Sequence, residues 1–170
     1  MDLYRGVGTE EDLVSAWMVA ETEEKHTEGE VLSYWLLQPV KVKKWSMSTF
    51  QQNQALSELM SIAFGVGAYW PPSYSFALVI PRNKLLAMAM FEEKDQGYCI
   101  WNACTHPKCR RQGYMSKILR AAKQIIKVEG KQKLYLKVEA DNKGAIQLYQ
   151  KHGFKLMKSG SVLDMEYTLH

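Results

Sequence analysis

A chain of 170 residues with 46% hydrophobic and 24% charged positions carries enough apolar matter for one substantial core, and this ordinary mixture excludes disordered, collagenous and disulfide-stapled classes. No run of about 18 apolar residues occurs, which excludes a helical membrane span, and MDLYRGVGTEED lacks the basic-then-apolar order of a secretion signal, so a cytoplasmic protein is expected, with the nucleus also open. The net charge of +4 is lopsided: residues 1–30 hold two basic and nine acidic residues (−7), whereas residues 31–170 hold 20 basic and nine acidic (+11).

In chain order, Thr9 is placed to cap a helix whose Leu13, Ala16, Trp17 and Ala20 recur at helical spacing, and the polar stretch Glu21 to Glu30 follows as a linker. Residues 1–30 therefore read as an acidic helical extension to a domain over 31–170. Val31 to Trp45 mixes β-branched and aromatic residues around Pro39, which predicts a broken or edge strand. A helix opens at Ser48 or Thr49 and carries one apolar stripe through Leu56, Leu59, Met60, Ala63 and Phe64, before Gly65 and Gly67 end it and AYWPPSY forms an aromatic loop. Strands are predicted at Tyr74 to Ile80, Leu85 to Phe91 and Tyr98 to Thr105, joined by the turns PRNK and EEKDQG into an antiparallel meander.

From Tyr114 to Val128, residues Met115, Ile118, Leu119, Ala122, Ile125 and Ile126 repeat at three and four, with Lys117, Arg120, Lys123 and Lys127 elsewhere on the wheel and Gly130 as the stop. LYLKVEA at 134–140 is a strand, and the helix before it makes a right-handed crossover that pairs it parallel to Tyr98–Thr105. A second helix runs from Asn142 to His152, and FKLMKSG and SVLDMEYTL close the chain as strands. These elements amount to an α/β fold, a mixed sheet with helices on both faces.

Chemistry concentrates between Thr105 and Ser116. The segment THPKCRRQGYMS links a strand to a helix start, where about four backbone N–H groups lack internal partners and the helix dipole favours an anion. Nine basic residues lie between Lys108 and Lys133 with Glu129 as the only acid, a charge suited to a polyanion or to a solvated helix face. The three cysteines, Cys99, Cys104 and Cys109, fall within eleven residues, a spacing that fits neither a disulfide framework nor paired metal-binding arms; reduced thiols and no metal are expected.

Arg110, Gly113 and Met115 in this loop, followed by Asn142, Ala145, Leu148, Tyr149, Gly153 and Phe154 in VEADNKGAIQLYQKHGF, together resemble the R/Q-x-x-G-x-G/A and N-x-x-A-x-x-L-Y-x-x-x-G-F patterns of the GNAT superfamily of N-acetyltransferases. The resemblance is clear over residues 74–155 and absent before 31. It implies a mostly antiparallel sheet with a central, splayed parallel strand pair, and acetyl-CoA as co-substrate. It further implies that the amides of Arg110, Arg111, Gln112, Gly113, Tyr114, Met115 and Ser116 hold the CoA diphosphate, that the pantetheine arm runs along Ala103, Cys104 and Thr105 near Asn142, and that the Tyr149 hydroxyl meets the departing thiolate. An N–H near Cys104 or Thr105 would meet the oxyanion. Met115 departs from the family's glycine or alanine, so its side chain must turn into the core or crowd the cofactor.

An ammonium must lose a proton before it attacks a thioester. Where relatives place a carboxylate, this chain has Cys99 and Lys137; Glu139, on the strand face of Lys137, and Glu92 and Glu93 are the candidate bases, with Glu139 carried forward beside Tyr149 as catalytic. Glu139 paired with Lys137 or a neighbouring lysine, and Glu92 and Glu93 as solvated turn residues, is the competing reading. His106 is expected to meet phosphate or solvent. The implied acceptor is a primary amine: a small amine, a polyamine, or a peptide or protein lysine or N-terminus. The implied transfer is direct, by a monomer or homodimer, without nucleic acid or membrane as partner. A catalytically weak acyl-CoA sensor is the alternative from another class.

Overall fold

The computed structural model describes residues 42–47, 54–65, 74–81 and 84–170. The predicted N-terminal helix, the linker, the first part of the Val31–Trp45 strand and most of the AYWPPSY loop lie outside the described residues. Within them the strands are β1 (Lys43–Ser46), β2 (Phe76–Pro81), β3 (Leu85–Lys94), β4 (Gly97–Thr105), β5 (Lys133–Glu139), β6 (Lys155–Lys158) and β7 (Val162–Thr168). The helices are α1 (Gln54–Phe64), α2 (Tyr114–Val128) and α3 (Lys143–Lys151), with a 3-10 turn at Pro107–Cys109. One seven-stranded sheet runs in the order β1-β2-β3-β4-β5-β7-β6, antiparallel at every pair except β4 with β5.

Two cores sandwich this sheet. β2 and the first part of β3 read as continuous apolar runs, FALVIP and LLAMAMF, because both of their faces are covered. Ala77, Val79, Met88 and Met90 meet Trp45 and the stripe Leu56, Leu59 and Met60 of α1 on one face. Leu78, Ile80, Ala87, Ala89 and Phe91 meet Ile118, Leu119, Ala122, Ile125 and Ile126 of α2 on the other. The α2 stripe read from the sequence is buried throughout, at roughly 1.5–3 kcal/mol for each large side chain removed from water.

β5 is different, since only Leu134, Leu136 and Val138 are buried while Lys133, Tyr135, Lys137 and Glu139 face the uncovered side. β5 thus carries a clean period of two, as expected of a strand with one wet face. Among the described residues, the α1 side of the sheet is therefore covered over β2 and β3 and open over β5 and β7.

The parallel pairing is short. Gly97 to Ile100 match Lys133 to Leu136, and beyond Ile100 the two strands have no further partners in each other. Against β3, the register of β4 slips between Met88, opposite Cys104, and Met90, opposite Trp101, so Asn102 and Ala103 both stand over Ala89. This is a β-bulge, and it is made possible by a left-handed Asn102 (φ 50°), a conformation that a short polar side chain tolerates. An inserted residue bends the strand that carries it. β4 accordingly keeps its ladder to β3 and leaves β5.

Gly97 fixes the closed end of this fork. A Cβ there would fall inside the backbone carbonyl of Lys133, the residue opposite it on β5. Gly97→Ala is expected to lower unfolding free energy by about 2 kcal/mol or more, measured by urea denaturation; a variant as stable as the parent would contradict the close approach of β4 to β5.

Candidate active site

Two adjoining cavities occupy the fork. The larger, about 800 Å³, is lined by Ala103, Cys104 and Thr105 of β4, Arg110, Arg111 and Gly113 of the loop, Tyr114, Met115 and Ser116 of α2, and Asn142 and Tyr149 at α3. Of the residues expected to bind cofactor, Gln112 alone is outside this lining. The second, about 410 Å³, lies between Cys99, Trp101, Lys137 and Glu139 on the parting strands. Phe64, Ala103, Asn142, Ala145 and Tyr149 line both, so the cavities meet where β4 and β5 separate.

The loop is shaped to present backbone donors. Arg111 (φ 63°) and Gly113 (φ 80°) both take left-handed turns, and Gly113 is the N-cap of α2 with no side chain to satisfy the helix start. A Cβ at Gly113 would meet nothing within 4 Å, so glycine is needed there for its backbone angle. The first turn-closing bond runs from the Lys117 N–H to the Gly113 carbonyl at 3.1 Å, and the amides of Gly113, Met115 and Ser116 meet no backbone acceptor among the described residues. α3 contrasts with this: the Asn142 side chain accepts from the Ala145 N–H at 3.3 Å and closes that helix start from within. An anion is therefore directed to α2 rather than α3. Burial, and after it the neighbouring Arg120 charge, lowers the Lys117 pKa.

Met115 turns into the core. Its residue is 9% exposed and packs in the cluster beneath α2, so the amide stays at the groove while the bulk goes elsewhere. His106 is buried: its ring Nδ1 accepts from the Lys108 N–H at 3.2 Å, and its main-chain N–H donates to the Leu86 carbonyl at 2.7 Å. It caps the 3-10 turn that launches the loop.

At the junction, burial pushes the Tyr149 phenol up to about 12, with the neighbouring Cys104 adding to the effect. The ring leans on Phe154 with centroids 5.6 Å apart, and the hydroxyl makes no hydrogen bond among the described residues. Tyr149 is thus a neutral proton donor at the meeting point of the cavities. Burial likewise raises Cys104 to about 12 against the pull of Arg110, and burial followed by the Glu92 charge raises Cys99 to about 11. Neither thiol is a thiolate at neutral pH.

The carboxylates sort by partner. Glu92 accepts from the Trp101 indole at 3.2 Å and pairs with Lys94 at 3.1 Å, whereas the exposed Glu93 pairs with Lys131 at 3.4 Å. Lys137 pairs across the sheet with Asp164 of β7 at 3.0 Å rather than with Glu139. Glu139 is left exposed, without an ion pair among the described residues, and lines the second cavity. Phe64, the last residue of the α1 stripe, is 46% exposed and reaches both cavities; sequence periodicity assigns it to the core and gives no sign of this position.

The acetyltransferase (GNAT) family model matches residues 34–154. This chain belongs to the GNAT family. Family members use acetyl-CoA as co-substrate, and the described fold is theirs: a mostly antiparallel sheet with one parallel, parting pair. Among curated proteins, GCN5-related N-acetyltransferase 6, chloroplastic, from Arabidopsis thaliana is 39% identical over 64 residues, which span 38% of this GNAT chain and 22% of that relative. Among solved structures, the PaiA N-acetyltransferase of Thermoplasma acidophilum in complex with coenzyme A superposes with a TM-score of 0.64 at 16% identity, over 77% of this chain and 99% of that one. The IAA acetyltransferase of Bacillus cereus also gives 0.64 at 16% identity, over 76% and 99%. At such identities the likeness is one of fold. Among the described residues, no helix is long and apolar enough to cross a membrane, and no cluster of metal-binding side chains occurs.

The raised thiols give a direct check of the site's enclosure. Iodoacetamide at pH 7.5 is expected to alkylate Cys104 at least ~100-fold more slowly than a free thiol, followed by peptide mass spectrometry; labelling of Cys104 at the free-thiol rate would contradict it.

Proposed function

We propose that this chain is an acetyl-CoA-dependent N-acetyltransferase that moves an acetyl group directly to a primary amine. The observation that carries the reading is the fork itself. A groove with open main-chain donors and a cavity with an unpaired carboxylate meet at a buried, neutral tyrosine.

In this reading the diphosphate of acetyl-CoA rests on the amides of the Arg110–Ser116 loop, with Lys108, Arg110, Arg111 and Lys117 supplying longer-range attraction. The pantetheine arm lies along the edge of β4 at Ala103 to Thr105 that β5 has vacated, beside Asn142. That course brings the thioester carbonyl to the junction lined by Ala103 and Tyr149. The amine enters through the second cavity, and Glu139 takes its proton through water. As nitrogen attacks, a β4 N–H near Cys104 or Thr105 holds the developing oxyanion. Collapse breaks the carbon–sulfur bond, the Tyr149 hydroxyl donates to the leaving thiolate, and the surplus proton on the new amide nitrogen passes through water to the phenolate and restores it.

Direct attack is favoured over an acetyl-cysteine intermediate because the Cys104 thiol is held protonated. The acceptor is a small amine, a polyamine, or a lysine or N-terminus of a peptide; the uncovered side of β5 and β7 leaves room for a chain as well as for a small molecule. A sensor that binds acyl-CoA without turnover rests on Cys99 and Lys137 standing where relatives carry a carboxylate. Glu139 weighs against it.

The decisive experiment measures thermal stability with acetyl-CoA and thiol release across a panel of amines. A rise in melting temperature and release with at least one amine are expected; a rise without release from any amine would replace the transferase by the sensor. Once an acceptor is in hand, Tyr149→Phe should lower kcat about 100-fold, and Glu139→Gln should lower acceptor kcat/KM at least ~10-fold with the acetyl-CoA KM unchanged. Cys104→Ala should stay within about threefold of the parent, and a folded but inactive Cys104→Ala chain would overturn direct transfer.

A further inference from the structure

Ser116, the third residue of α2, lines the groove beside Met115, and its hydroxyl is bonded from behind. His152, the C-cap residue of α3, brings its Nε2 to within 3.0 Å of Ser116 Oγ. Only 9% of His152 is exposed, and it does not line the groove. The carbonyl of the same residue accepts from Lys123 Nζ of α2 at 2.5 Å. The end of α3 is thereby tied to α2 at two points, one of them in the turn where main-chain donors are open.

The ring is neutral at physiological pH. Burial, then the positive charges of Lys123, Arg120 and Lys151, lower its pKa to about 4. A neutral imidazole offers one donor and one acceptor, and a serine hydroxyl has one proton to give. If Nε2 accepts, that proton is spent on the histidine. If Nε2–H donates, the serine proton is free for a ligand in the groove. A groove lined by Arg110 and Arg111 beside an uncapped helix start calls for a ligand that only accepts, and a phosphate oxygen is such a ligand.

We propose that His152 is a positioning residue for the diphosphate: its Nε2–H donates to Ser116 Oγ and turns the serine hydroxyl proton into the groove, toward a phosphate oxygen. The inference rests on the assignment of this groove to acetyl-CoA and adds a residue that never touches the co-substrate.

The test compares two acetyl donors on the full chain: acetyl-CoA by isothermal titration calorimetry, and S-acetylpantetheine, which lacks the diphosphate, by NMR titration. His152→Leu is expected to weaken acetyl-CoA about 10-fold and to leave S-acetylpantetheine within twofold. His152→Gln, whose amide can donate from nearly the same place, should recover most of the loss. Ser116→Ala should reproduce His152→Leu, and the double variant should bind no more weakly than either single one. Equal losses with both donors, or losses that multiply in the double variant, would overturn the role. Should His152→Leu fail to fold, Ser116→Ala alone decides, since an unchanged acetyl-CoA affinity there removes the hydroxyl from the site. A parent chain that binds no acetyl-CoA sinks the groove's assignment and this inference together; a parent that binds, with variants that do not respond, sinks the inference alone.

Discussion

β4 cannot hold both of its neighbours along its whole length. It stays with β3 through the bulge at Asn102 and Ala103, and the extra residue carries it away from β5 after only four paired positions. Every element of the site follows from that parting. The edge of β4 that would otherwise be spent on β5 becomes available to a ligand, and the space between the strands becomes the second cavity. The bulge costs little because Asn102 bears the left-handed backbone angle with a side chain suited to it. Gly97 holds the other end shut, so the fork opens in one direction only.

The two sides of the fork differ in electrostatic character. Toward α2 the groove presents open amides and a field of lysine and arginine, while the uncovered face of β5 and β7 carries carboxylates largely matched to lysines, Lys133 with Glu166 and Lys137 with Asp164. One carboxylate, Glu139, lies at the cavity outside these pairs. Under the proposed function a polyanionic donor enters from the first side and an amine from the second, and they meet beside Tyr149, which burial keeps protonated.

Much of this was legible in the sequence because it depends on local pattern. The span of α2 and its buried stripe follow from a period of 3.6 residues, and the open helix start follows from Gly113 standing where a capping side chain would be. What the sequence hides is register. Nothing in GYCIWNACT marks Asn102 as a bulge, since the slip exists only relative to β3. The alternation of Lys137 and Glu139 places them on one face and makes their pairing plausible, yet Asp164 lies directly across from Lys137 on β7 and takes the lysine instead. Met115 looked like a steric problem for the groove because a one-dimensional motif gives no direction for a side chain; helix geometry points it into the core. His152 was hidden for a related reason: before a glycine at the end of a helix, a histidine reads as a common terminator, and its reach to Ser116 spans 36 positions of chain.

The same burial that keeps the Tyr149 phenol protonated keeps the Cys104 thiol protonated and a poor nucleophile, and the two effects have one cause. Thiolate formation at Cys104 would place a negative charge in the enclosed wall that already resists one on Tyr149, and a charge on Cys104 adds to the cost at the phenol. A covalent acetyl-cysteine route would need that charge at the start of every turnover. A direct route needs it only on the departing sulfur of the co-substrate, at the moment when the tyrosine proton is within reach. Under the proposed function, an enclosed junction with a neutral phenol and no pre-formed anion favours attack by the amine itself, with the cavity between β4 and β5 as its path.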